Sequence, residues 1–368
     1  MTNPLRTWLI AALLLEALPP LAESDWLELV AVAEDEGVIV LLAHQLDKHA
    51  GVSEISAGLL SLIKQAAKFS VMEQLSFQSE QKSLFQALNQ AGIPFLVMKG
   101  AALGNWLYES PSLRPVTDID LWFADRRTVF ALADILRPLG YARAESVGDL
   151  LSFEQAFDKD VNGRIIRIDA HWAMFNSAIL STNQSFEAAY AQAMPVTIQD
   201  QDVKALGITD ALINSIGHRA LKHLVGQANT LKWLYDQYLL FNAINATHWQ
   251  ELVNRCNQAG ISDLSLDAIE HSQATFKTPI PLSAIAALST NAKRENIKRG
   301  WFQSWASYQW HEMQAVSPHF SLRLKWLVQK LWPNPEAMRE GYGSVDPAWK
   351  FMLKRIGVGV KRLFGNSQ

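Results

Sequence analysis

Two aspartates one residue apart, Asp118 and Asp120 in RPVTDIDLWF, interrupt a run that otherwise reads as a buried strand. Charged side chains rarely sit in such a run unless something pairs with them. On a strand, residues two apart share a face, so Asp118 and Asp120 point one way while Ile119, Leu121 and Phe123 point to the core. The stretch RIIRIDAHW repeats the pattern, with Arg167, Asp169 and His171 on one face and Ile166, Ile168 and Ala170 on the other. If these strands are neighbours, three carboxylates converge. Like charges that close repel and raise each other's pKa unless a cation neutralises them. Hard oxygen ligands suit Mg2+ or Mn2+, and two such ions would clamp the attacking and leaving oxygens of an in-line displacement at phosphorus. An isolated Asp-x-Asp is also met as a turn or as the partner of an arginine.

Phosphate chemistry needs a cradle as well. Lys99-Gly100 follows the short apolar run IPFLVM where a helix begins, so backbone N–H groups and a positive dipole end would face the site. Gly100 would let phosphate approach the backbone, Lys99 would supply a point charge, and Arg114 would fork onto a phosphate. His171 shares a face with Asp169 and would order a metal-bound water or an acceptor hydroxyl, or else be a satisfied core histidine. His218 and His223 are five residues apart on a predicted helix, a step that turns them away from one another, so they read as interhelical contacts. Asp236 reads as a buried structural partner, of Arg219 or Lys232.

The elements that must hold these groups fall into an α+β order. Residues 1–90 are helical in pattern, opened by Asn3 as a cap with Pro4 as the first helical residue. From Gly92 the texture changes to short apolar strands, with Asn162-Gly163 as the strongest hairpin signal, so a mixed β-sheet core with helices occupies 91–205. Helical periodicity returns over 206–321, and 322–368 form a basic tail.

Composition narrows the function classes. The net charge of −3 gives no global reason to expect binding of long nucleic acid. A lone cysteine, Cys256, excludes an internal disulfide and favours a reducing, cytoplasmic setting. The early WLIAALLLEALPPL run is broken by Glu16 and is too short to span a bilayer, so it reads as a packed helix. The tail is different: residues 322–368 hold nine Lys or Arg against three acids, a net of +6. Within 349–364 apolar and basic residues segregate on a helical wheel, the form of a peripheral contact with an anionic inner membrane surface.

The stretch from GIPFLVMKG through RPVTDIDLWF to IDAHW resembles the uncharacterised bacterial nucleotidyltransferase family, placed in the DNA polymerase beta-like nucleotidyltransferase superfamily. The motif falls on Lys99, Gly100, Tyr108, Arg114, Asp118, Asp120, Asp169, His171 and Trp172, and more loosely on His218, His223, Trp233 and Asp236. The superfamily usually carries Gly-Ser at a shorter spacing before its Asp pair than Lys99-Gly100 stand from Asp118. The resemblance implies a nucleotidyltransferase-like core that moves an NMP group from a nucleoside triphosphate to a hydroxyl-bearing small molecule, glycan or protein, with two Mg2+ or Mn2+ ions and release of pyrophosphate. Asp118, Asp120 and Asp169 would be the catalytic and metal residues, with Tyr108 and His171 beside them. The alternative is a non-catalytic nucleotide-binding or scaffold protein recruited to a membrane-associated biosynthetic assembly.

Overall fold

The computed structural model describes residues 3–331, apart from 146, 147, 149, 182 and 183, together with residue 334. The stretch 349–364 and most of the basic tail therefore lie outside the described residues. Helices α1 (Pro4–Leu13), α2 (Trp26–Asp35), α3 (Ile39–Lys48) and α4 (Ala57–Gln90) lead. The α1 start follows from its cap, since the Asn3 side chain accepts from the backbone of Leu5 and Arg6.

The chain then builds the sheet from β1 (Phe95–Val97), β2 (Ile119–Phe123), β3 (Ala142–Arg143), β4 (Glu154–Val161), β5 (Arg164–His171), β6 (Met194–Ile198) and β7 (Gln201–Ala205). Helices α5 (Lys99–Trp106), α6 (Arg126–Leu136), α7 (Ala178–Ser181) and α8 (Phe186–Ala191) connect them. The remainder is helical: α9 (Ile208–Lys222), α10 (Leu231–Ala243), α11 (Ala246–Ala259), α12 (Ser262–Phe276), α13 (Leu282–Ala292), α14 (Trp305–Val316) and α15 (Phe320–Leu331).

Among the described residues, seven strands form one mixed sheet in the order β3-β4-β5-β2-β1-β7-β6. β2 runs parallel to β5 with Asp120 opposite Asp169, and β4 pairs antiparallel with β5 through the Asn162-Gly163 turn. The alternation read from sequence decides which face each residue serves. Ile119, Leu121, Phe123, Ile166, Ile168 and Ala170 are wholly buried against α4 and α6. The opposite face carries the aspartates and, at its covered end, Leu96, Met98 and Trp122, which join the core of the C-terminal helices.

Two helices tie these layers together. The first turns of α4 (Leu59, Ile63, Ala67) pack with α1–α3, whereas its last turns (Phe77, Leu84, Phe85, Leu88) pack on the sheet. Leu231, Leu234 and Tyr235 of α10 complete the core of the N-terminal helices. Arg6 and Glu36 pair, and Glu36 also accepts the Leu231 N–H at 2.6 Å, so α10 begins against the N-terminal layer.

Candidate active site

Asp120 sits in the middle of the sheet, 2% exposed, with Lys99 Nζ at 2.6 Å and His171 Nε2 at 3.0 Å from the same oxygen, Oδ1. Asp169 stands opposite it on β5, and Asp118 lies half-buried just before β2 begins. A fourth acid joins from β4: Glu154 is the register partner of His171, and its carboxylate lies 3.2 Å from His171 Nδ1. That approach is within ion-pairing distance but off the line of a hydrogen bond, and Nδ1 otherwise has no partner.

The electrostatics follow from this crowding. Burial, then Glu154 and Asp120, raise the Asp169 pKa to about 7. Burial and the neighbouring Asp120 also raise that of Asp118. For Asp120, burial alone would act upward, but the Lys99 charge and the His171 hydrogen bond hold its carboxyl well below the usual range. For His171, burial acts downward and is outweighed by Glu154 and Asp120, leaving it raised. Lys99, also opposed by burial, is held protonated by Asp120 and Asp118. One lysine thus serves an excess of carboxylates, and the shortfall appears as raised pKa values at Asp118 and Asp169.

A hard divalent cation is suited to that shortfall, because the donor set is carboxylate oxygen and its like charge is unrelieved. Among the described residues, no three His, Cys, Asp or Glu side chains are disposed to hold a metal ion as they stand, and Lys99 draws Asp120 toward itself. Lys99 has a left-handed backbone, φ 51°, at the head of α5, a conformation costing a non-glycine residue on the order of 1 kcal/mol.

Arg114 and Gly100 lie against each other beside Asp236. Arg114 is 3% exposed and its fork closes on Asp236, with Nε to Oδ1 at 2.8 Å and Nη2 to Oδ2 at 2.7 Å, while Nη1 donates to Pro115 O. Tyr108 donates to the same Asp236 at 2.6 Å. The guanidinium is therefore paired with a buried carboxylate and holds the loop ahead of Asp118. A Cβ on Gly100 would lie 3.1 Å from Arg114 Nη1, so the glycine makes room for this arginine. Asp236 is structural, but its partner is Arg114; Arg219 pairs with Asp267 instead.

Beside the carboxylates lies a cationic wall absent from the sequence reading. Lys232 Nζ stands 4.4 Å from the centre of the Trp233 ring, Arg114 5.0 Å and Lys222 5.9 Å. No carboxylate among the described residues lies within ion-pairing distance of the Lys222 or Lys232 ammonium. Burial and the Arg114 charge push Lys232 down to about 8. A narrow cleft of about 20 Å3, room for a water, runs between Lys99, Trp106, Asn214, His218 and Trp233. His218 packs on Trp233 with ring centres 4.7 Å apart, and its Nε2 is buried without a partner. Burial and Lys99 hold His218 far below its ordinary pKa, so it is neutral. His223 reaches Asp267 at 3.3 Å and belongs to a different neighbourhood.

Glu154 had a signal in the sequence. A two-residue turn at Asn162-Gly163 pairs Val161 with Arg164, and counting back along both strands arrives at Glu154 opposite His171. Lys222 and Lys232 had none, because their place depends on how α9 and α10 cross the sheet.

Residues 22–277 match a family model described as "Uncharacterised nucleotidyltransferase". No curated protein matches the chain. Among solved structures, that of an antigenic nucleotidyltransferase-like protein from Paracoccidioides brasiliensis is similar over 56% of this chain and 95% of that chain, at 17% identity and a TM-score of 0.37. That likeness is too slight to place any residue.

Proposed function

We propose, from the premise that the chain belongs to the uncharacterised nucleotidyltransferase family, that it moves an NMP group from a nucleoside triphosphate to a hydroxyl-bearing acceptor and releases pyrophosphate. The observation that carries this reading is the register: Asp120 faces Asp169 across adjacent strands, with Asp118 before them and too little positive charge to balance the set. Two Mg2+ or Mn2+ ions held by Asp118, Asp120 and Asp169 would supply charge neutralisation on the reacting and leaving oxygens. Asp169, opposite Asp120 on the neighbouring strand, is placed to take the proton of the acceptor hydroxyl. His171 fixes the Asp120 carboxylate through Nε2, and Arg114 fixes the loop that presents Asp118. Lys232 and Lys222, free of carboxylate partners among the described residues, are suited to the triphosphate, for which their lack of a counter-anion leaves them ready. Lys99 would keep Asp120 ionised until the cations arrive.

The test is calorimetric titration of each of the four nucleoside triphosphates, with Mg2+ and with EDTA, on wild-type protein and on the folded Asp118→Asn/Asp120→Asn variant. Metal-dependent binding of a nucleotide that vanishes in the variant supports the reading, and pyrophosphate release with an added acceptor completes it. Folded wild-type protein that binds no nucleotide, with or without candidate acceptors, overturns it.

A further inference from the structure

α15 differs from the other C-terminal helices in what it leaves outside. It holds Arg323, Lys325 and Lys330 and no acid. It meets the protein along one edge: Trp326 is buried, Gln329 Oε1 accepts the Leu150 N–H at 3.0 Å, and Arg323 Nε donates to Ser317 O. On the opposite side Phe320, Leu324, Leu327, Val328 and Leu331 are between 40% and 79% exposed. At 3.6 residues per turn these five fall in an arc of about 100°. Arg323 and Lys330 border the arc on one side and Lys325 on the other. Five apolar side chains in one stripe exceed the scatter of single exposed residues normal on a soluble surface.

We propose that α15 docks the protein onto an anionic bilayer surface, lying in the plane of the membrane with the Phe320–Leu331 stripe in the acyl boundary and its cations at the lipid phosphates. The helix is about 18 Å long, too short to cross a bilayer, and no described helix is long and apolar enough to do so. Charge selects this occupant over the two others. Residues 322–368 carry a net of +6, so folding the rest of the tail onto α15, or seating a second copy of α15 there, would bring like charges together. An anionic lipid surface brings the opposite sign, and bordering cations reach the phosphates while their stems cover the apolar edge. The remainder of the chain carries −9, so attraction would be confined to this end and would orient the molecule. The inference is independent of the chemistry at Asp118, Asp120 and Asp169.

The experiment is cosedimentation of the full chain with vesicles of pure phosphatidylcholine and of an equal mixture of phosphatidylcholine and phosphatidylglycerol. Wild-type protein should bind the mixed vesicles, lose binding in high salt, and ignore the neutral ones. Leu324→Glu/Val328→Glu and Lys325→Glu should each weaken binding by about tenfold, with circular dichroism and melting unchanged because these side chains are exposed. Cys256 is fully buried, so a Leu327→Cys variant can carry an environment-sensitive dye whose emission should shift to the blue on mixed vesicles. Folded wild-type protein that stays in solution overturns the proposal. Equal binding by Leu324→Glu/Val328→Glu also overturns it, since the contact would then lie elsewhere in the chain. So does a wild-type dimer that this variant splits, which would assign the stripe to a second copy.

Discussion

Two clusters of charge are balanced differently. Around Asp267 two arginines are within reach: Arg219 pairs with it closely, and Arg299 lies at 3.5 Å while also pairing with Asp263 and Glu270, with His223 at 3.3 Å and His271 at 3.6 Å. Around Lys99 a single ammonium faces Asp118, Asp120, Asp169 and Glu154. The first cluster closes on itself, ties α9 to α12 and the Arg299 turn, and holds Asp267 ionised far below its ordinary pKa. The second has more carboxylates than cations, and burial and like charge raise the pKa of Asp118 and of Asp169. The difference lies in the partners: Asp267 is matched by arginine, whereas Asp118 and Asp169 are crowded by other acids.

The sharpest way to break the comparison is to remove each central carboxylate. Asp267→Ala would leave Arg219, 1% exposed, without its counter-charge, and should destabilise the protein by about 3–5 kcal/mol in denaturant unfolding. Asp118→Asn removes one of several crowded acids, and should change stability by less than about 1 kcal/mol while abolishing metal-dependent nucleotide binding. Equal losses in the two variants would mean that both clusters are fastenings.

Next in size is a pH effect. Asp169 keeps its proton up to about pH 7 when folded but releases it near 3.8 when unfolded, so the folded state binds more protons between those values. Its contribution is full below about pH 4 and is lost as pH rises through about 7. In EDTA, wild-type protein should therefore lose on the order of 2–4 kcal/mol across this window relative to Asp169→Asn, read from unfolding curves at a series of pH values. Parallel curves would remove Asp169 from the crowded set.

Divalent cation should flatten that slope and raise stability at neutral pH. At a hundredfold excess over its dissociation constant, Mn2+ should add about 2.7 kcal/mol to wild-type protein and nothing to Asp118→Asn/Asp120→Asn. A rise shared by both proteins would place the ion elsewhere. The smallest effect belongs to the hairpin surface. Arg167 and Asp158 pair at 2.6 Å but are solvated, and Arg167→Ala should cost about 0.5 kcal/mol or less in thermal unfolding.

The carboxylate-bearing face was readable because a strand's alternation is local: DIDLWF and RIIRIDAHW each separate core residues from those of the opposite face without knowledge of the fold. The pairing of β4 with β5 was readable for the same reason, through Asn162-Gly163. The β6–β7 hairpin was not, because its turn places Gln199 and Asp200 at φ 50° and 61°, conformations usually announced by Asn or Gly. The Arg114–Asp236 pair was misassigned because it joins a loop to a helix across the molecule, and sequence separation carries no signal for such a contact. The Lys222–Lys232 wall was lost for the same reason, being a product of how helices cross and not of any one segment.

The place of α10 in the N-terminal layer sets an order of events during synthesis. Leu29, Leu41 and Leu46 emerge early, yet Leu231, Leu234 and Tyr235, which complete their core, are made far later. At translation speeds of about 5–20 residues per second, the interval is roughly 10–40 s. Throughout it the leading helices present an unfinished apolar surface at the ribosome, where a holding chaperone would compete with premature self-association. The leading helices are thus a late-closing lobe, finished only when α10 returns to them.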